Sequence, residues 1–213
     1  MANKKKIDTA SVSSLQQKLS SLLEYYQNGR LSDAEKLAKA ISQEFPNDNF
    51  SWKILAAVFK ATGRNSEAVN AGQTAVTLSP QDAEAHSNLG VMLQELGRLD
   101  EAEASYKQAI VLKANYVEAH YNLGITLQEL SKFDEAEASY KQAIVLKPDF
   151  PEAYYNLGNT LKELSKFDEA EASYKQAIVL KPDFPEAYYN LGNTLKELSK
   201  FDEAEASYKQ AIV

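Results

Sequence analysis

One segment of this chain is written twice. Residues Glu129–Val179 recur letter for letter as Glu163–Val213, at an offset of 34 residues. A short period of this kind means supersecondary units that cannot bury their apolar faces alone and stack on their neighbours to do so. Weaker copies of the same register run toward the N-terminus. They cut the chain into 15–48, 49–82, 83–116, 117–150, 151–184 and a last copy, 185–213, which stops five residues short. Residues 1–14 lie outside the pattern. Lys4, Lys5 and Lys6 are followed by small and polar residues, not by an apolar run, so a solvated, disordered tail is expected there and not a signal peptide.

Each copy reads as two helices. In 151–184 the first apolar stripe is Ala153, Tyr154, Leu157, Leu161 and Leu164, spaced three and four apart. The second is Phe167, Ala170, Tyr174, Ala177, Ile178 and Leu180. The spacing of Asp168 and Glu171 predicts a capping box at the start of the second helix, with Phe167 just ahead of it as a staple. Pro182 ends that helix, and Asp183 with Glu186 repeats the capping spacing, Pro185 falling in the first turn of the next helix. No segment sustains an alternation of period two, so the fold class is all-α.

These residues resemble the tetratricopeptide repeat, whose 34-residue unit carries a W-x-x-L-G-x-x-Y, A-x-x-x-F, P skeleton. Tyr154, Leu157, Gly158, Leu161, Ala170, Tyr174 and Pro182 match it, and copy 49–82 keeps the tryptophan itself at Trp52. Copy 15–48 departs from it, with Ser21-Leu22 where Leu-Gly is expected, although Tyr25, Ala34 and Pro46 hold the register. The resemblance spans 15–213 and implies a right-handed superhelical solenoid of antiparallel helix pairs, its concave wall built from first helices. Gly90, Gly124, Gly158 and Gly192 sit inside first helices, where glycine costs about 1 kcal/mol relative to alanine. That recurring cost predicts a close approach by another backbone, from the partner helix. Gly29, Gly63 and Gly97 fall in the inter-helix turn, where a left-handed conformation is useful, and Ser131, Ser165 and Ser199 take their place later.

Catalytic signatures are missing. With no cysteine, disulfides, thiolate metal sites and cysteine nucleophiles are excluded, and no phosphate-binding glycine loop or nucleophile elbow occurs. His86 and His120 lie one period apart at the register of Trp52, Tyr154 and Tyr188, with no third ligand repeating beside them, so packing is expected and not a metal. The Asp-Glu-Ala-Glu segments are expected to form a solvated face. No enzyme, cofactor or metal is therefore expected. A net charge of −7 lacks the basic footprint that nucleic acid requires, and no apolar run reaches the ~20 residues of a membrane span. The cytoplasm is the expected location.

The wall of first helices is where a partner is expected. Position 6 of the copies is Asn88, Asn122, Asn156 and Asn190, and position 9 adds Asn159 and Asn193. An asparagine amide both donates and accepts, so a column of them suits the backbone of an extended peptide or protein segment. Tyr121, Tyr155 and Tyr189 at position 5 add flat apolar surface with a polar tip. By position these asparagines resemble the ladder in the repeat arrays of O-GlcNAc transferases. The same asparagine is also family consensus, and a packing role within the array stands beside the ligand-holding one. The carboxylate clamp of chaperone-binding relatives is rejected, because Glu84, Glu118, Glu152 and Glu186 occupy a position that it needs basic. Three functions follow: a non-catalytic interaction scaffold, the substrate-presenting region of a larger glycosyl- or sulfotransferase, or a self-stacking structural array. The last rests on Leu198, Tyr208 and Ile212, expected to be at least partly exposed at an open end and to favour head-to-tail self-association.

Overall fold

The computed structural model describes residues 9–212. Among them are twelve helices and no strand. They are α1 (Thr9–Gln27), α2 (Leu31–Glu44), α3 (Asn49–Ala61), α4 (Asn65–Leu78), α5 (Ala83–Glu95), α6 (Leu99–Leu112), α7 (Val117–Glu129), α8 (Phe133–Leu146), α9 (Pro151–Glu163), α10 (Phe167–Leu180), α11 (Pro185–Glu197) and α12 (Phe201–Gln210). Odd-numbered helices are the first of each pair and even-numbered helices the second, as the period dictates. The chain divides into two compact units, Met1–Arg98 and Leu99–Val213. Within the first, each of α1 to α4 packs on the next, and α1 also touches α3. Within the second, each of α6 to α11 packs on the next, and the first helices α7, α9 and α11 touch side by side.

The expected N-terminal tail and α1 overlap. Residues 1–8 lie outside the described residues, but 9–14 are the opening turns of α1. No glycine or proline interrupts 9–27, so the helix extends back beyond the 34-residue frame.

The turns within each pair follow one design. Gly29 and Gly63 have φ of +70° and +73°, and Ser131, Ser165 and Ser199 adopt the same left-handed conformation at 58–60°. After α9, the Ser165 N–H donates to the Lys162 carbonyl at 2.9 Å and the Lys166 N–H to the Leu161 carbonyl at 2.8 Å. These two bonds close the helix in a Schellman motif, with serine in the place where glycine is unstrained.

That motif displaces the expected capping boxes. Helix α10 begins at Phe167, its N-cap is Lys166, and no side chain caps it. Phe167 is thus the first helical residue and not a staple ahead of the cap. Asp168 lies inside the first turn, where it complements the positive end of the helix dipole. Asp183 does not cap α11 either, because Phe184 is the N-cap and Pro185 occupies the first turn. Side-chain caps occur instead at Asp48, which accepts from the Ser51 N–H at 2.7 Å, and at Asp82, which accepts from the Ala85 N–H at 3.1 Å.

Glu171 is also not part of a solvated face. It is buried, accepting from Lys175 at 2.6 Å and from Lys200, in the next copy, at 2.7 Å. Glu103 repeats this with Lys107 and Lys132, and Glu137 with Lys141 and Lys166. In the first unit Glu35 is held by Lys39 and by both terminal nitrogens of Arg64. Each carboxylate ties a second helix to the turn of the following copy. Asp168 and Glu169, by contrast, are exposed as expected.

Burial pushes the Glu171 and Glu137 carboxyls up, but the hydrogen bonds from their paired lysines outweigh it and hold both below the usual carboxylate range. At Glu35 the Arg64 guanidinium, aided by Lys39, lowers the pKa from 4.5 to about 2. The sign follows: a carboxylate with a lowered folded-state pKa adds stability above its unfolded value, and that stability is lost as pH falls through the folded value. Stability should therefore drop between pH 4.5 and about 2, and Glu35→Gln should make that drop shallower. Urea midpoints across this range check it; an unchanged slope in the variant contradicts it.

Candidate functional site

The wall of first helices is shaped by a residue of the second helix. Position 24 of the copies is Tyr106, Tyr140, Tyr174 and Tyr208, the first three fully buried. Each of the last three lies over the glycine at position 8. A Cβ added to Gly124 would stand 2.6 Å from the Tyr140 ring, and one added to Gly158 2.6 Å from that of Tyr174. Gly192 meets Tyr208 in the same way. The expected close approach is thus made by an aromatic ring edge and not by a backbone. This correction is physical: helical glycine leaves a gap the depth of a side chain, which a flat ring fills more fully than a second main chain.

The buried hydroxyls then need acceptors. Tyr174 donates to Asn159 Oδ1 at 2.8 Å and Tyr208 to Asn193 Oδ1 at 2.9 Å, both at position 9. In the copy where position 9 is Ile125, Tyr140 donates to Gln128 Oε1 at 3.0 Å, three residues further on. Burial raises the Tyr140 and Tyr174 pKa values, keeping both phenols protonated as donors. Gln128 is a site residue that a search for asparagines passes over; its signal is the isoleucine that takes the usual place of the amide.

The position-6 asparagines join neighbouring copies. Asn156 Nδ2 donates to the Tyr121 hydroxyl at 3.0 Å, and Asn190 Nδ2 to the Tyr155 hydroxyl at 3.0 Å and to Asn159 Oδ1 at 2.9 Å. Sequence separations of 35 and 31 make these bonds between copies and not within one. All of these amides are half-buried. Each has more hydrogen-bonding capacity than these bonds use, since an amide carries two N–H donors and a carbonyl with two lone pairs. Asn122 is half-buried in the second unit, and Asn88 is exposed in the first.

The position-5 tyrosines have aromatic neighbours on two sides. Tyr121 lies 6.0 Å from Tyr140 and 4.6 Å from Phe150, and Tyr155 lies 6.0 Å from Tyr174 and 4.9 Å from Phe184. Burial and the nearby Glu152 raise the Tyr121 pKa, against the opposing bond from Asn156. Tyr189 keeps its partner Tyr208 at 5.8 Å, and its side is 55% exposed. Tyr155, Tyr189 and Asn190 border an open cavity of about 460 Å³ in the second unit. Ile212 on its edge is exposed, whereas Leu198 and Tyr208 are half-buried.

The histidines are held by main chain. His86 Nε2 lies 3.1 Å from the Pro80 carbonyl and His120 Nε2 3.0 Å from the Ala114 carbonyl, so each ring pins the loop before its helix. Among the described residues no cluster of three or more metal-ligating side chains occurs, and no helix is long and apolar enough to cross a membrane.

Comparison with known proteins places this geometry. The family model described as TPR repeat matches residues 57–97, 92–131, 129–165 and 158–199, and that described as Tetratricopeptide repeat matches 186–213. No curated protein sequence matches the chain significantly. Among solved structures, MamA is similar at 26% identity, covering 74% of this chain and 92% of that one with a TM-score of 0.73. PilF of Pseudomonas aeruginosa is 17% identical, covering 93% and 90% at a TM-score of 0.77. YrrB, described as a TPR protein with an unusual peptide-binding site, is 20% identical, covering 82% and 90% at a TM-score of 0.73.

The hydrogen bonds between copies make a graded prediction. Tyr121→Phe removes the hydroxyl that Asn156 Nδ2 donates to, whereas Asn190 retains Asn159 after Tyr155→Phe. Tyr121→Phe should cost about 1 kcal/mol and Tyr155→Phe roughly half as much, read from denaturant midpoints. Equal costs would show that the bond to Asn159 adds nothing.

Proposed function

Because the chain belongs to the tetratricopeptide-repeat family, we propose that it is a non-catalytic interaction scaffold whose first-helix wall holds an extended segment of a partner protein. The observation that carries this reading is the tethering of Asn156 and Asn190. Each amide is fixed by a tyrosine hydroxyl of the preceding copy while it stays half-buried with hydrogen-bonding capacity unused. An amide already held in one rotamer loses little entropy when a peptide group pairs with it, so pre-organisation favours binding. The asparagine register that resembles O-GlcNAc transferase arrays enters here as a row of backbone-holding groups, indifferent to the partner's side chains. Tyr155 and Tyr189 beside Asn190 supply apolar surface with a polar tip, the combination favoured at interfaces. The described peptide-binding site of YrrB supports such a role on this fold.

The test is a panel of immobilised, unstructured peptides probed with the intact chain and with the Asn156→Ala/Asn190→Ala variant. The peptides that bind should lose about 1–2 kcal/mol in the variant, roughly ten- to thirtyfold in affinity, with helical content unchanged by circular dichroism. Equal binding by both proteins would remove the amides from the binding surface.

A further inference from the structure

The second copy lacks the ring that the later copies carry. Position 24 there is Gly72, and position 8 is Ala56 in place of glycine. In the second unit the position-24 tyrosines reach positions 5, 8, 9 and 12 of their own copies: Tyr140 approaches Tyr121, Gly124 and Gln128, and Tyr174 approaches Asn159. The residues at those four positions in the second copy, Lys53, Ala56, Ala57 and Lys60, line an open cavity of about 490 Å³ within the first unit, together with Gly72. Its far wall is Leu89 and Met92, which lie 3.3 and 3.5 Å from where a Gly72 Cβ would stand.

We infer that this cavity receives an aromatic side chain, phenylalanine in particular, from the segment bound along the wall; the inference rests on the peptide-binding reading above. One aromatic ring is what fills the same register in the later copies, and the cavity is more than large enough to take one. Its polarity follows from the lining. The amide carbonyls that accept the buried tyrosine hydroxyls stand at positions 9 and 12, and here those positions are a methyl group, Ala57, and a cation, Lys60. Lys60 is paired with Glu95 at 2.9 Å, and Lys53 with Asp82 and Glu84 at 3.1 and 2.9 Å. A phenyl ring meets aliphatic surface at the floor and needs no acceptor. A phenol would find no amide carbonyl at position 9 or 12 to accept its hydroxyl. Exposed Asn88 borders the cavity and is placed to meet the peptide groups on either side of the ring.

The sequence provides a built-in reporter, because its two methionines are Met1 and Met92. With the methionine methyls ¹³C-labelled in the full chain, titration with N-acetyl-phenylalaninamide should shift the Met92 resonance saturably. N-acetyl-alaninamide should not. Ala56→Gly/Gly72→Tyr installs the pair found in the later copies and should weaken the phenylalaninamide response at least tenfold. Ala57→Ile narrows the cavity from the other wall with the residue that position 9 carries at Ile125, and should do the same if the double variant fails to fold. A Met92 signal that ignores phenylalaninamide, or that responds equally in the wild type and in a folded blocked variant, would overturn the inference. Asn156→Ala/Asn190→Ala leaves the cavity intact, so the Met92 response should survive it. Failure of the amide wall and failure of the ring site are therefore separable.

Discussion

In the second unit a tyrosine ring from the second helix of a pair occupies the gap left by a glycine in the first, at Gly124–Tyr140, Gly158–Tyr174 and Gly192–Tyr208. The other polar features of the wall follow from that placement. A buried phenol must donate, so amides at positions 9 or 12 turn inward to accept from it. The position-5 tyrosine packs against the buried ring and against the aromatic residue at the N-cap of the next first helix. Its hydroxyl in turn receives the amide of the next copy's position-6 asparagine. A steric fit within one pair thereby becomes a polar chain running between pairs.

The two kinds of helix divide the work. Second helices hold Glu103, Glu137 and Glu171, the first and last of them buried, in ion pairs that join successive copies. Breaking such a pair by removing one partner is costly because a charge is left poorly solvated. First helices join copies through neutral amides and phenols that retain unused hydrogen-bonding capacity. Within the second unit, charge joins copies along the second helices and neutral polar groups join them along the first. At Gly72 the interlock is missing, and an open cavity lies beside it.

The helix pairs were legible because period, apolar stripes and turn glycines all point the same way, and the left-handed Ser131, Ser165 and Ser199 stand where glycine stood in earlier copies. The candidate residues were legible as a register but not as partners. Asn156 and Asn190 lie 35 residues from the tyrosines they bond, a relation visible only once the copies are stacked. Glu171 was misread because its spacing from Asp168 fits a capping box, and the competing ion pair comes from Lys200 in another copy. The start of α10 lies two residues ahead of the expected one for a local reason, since the Schellman turn at Ser165 makes the Lys166 carbonyl the first acceptor, from the Ala170 N–H at 3.0 Å.

The central claim is that glycine at position 8 is there to admit a ring, and the stability of Gly158→Ala tests it by sign. On helix propensity alone this substitution raises stability by about 1 kcal/mol. If the Tyr174 ring fills the space, the added methyl overpacks the pair and lowers stability by about 1–3 kcal/mol, and shortening the ring in Gly158→Ala/Tyr174→Leu recovers part of that loss. A Gly158→Ala chain that unfolds at higher denaturant than the wild type would contradict the account.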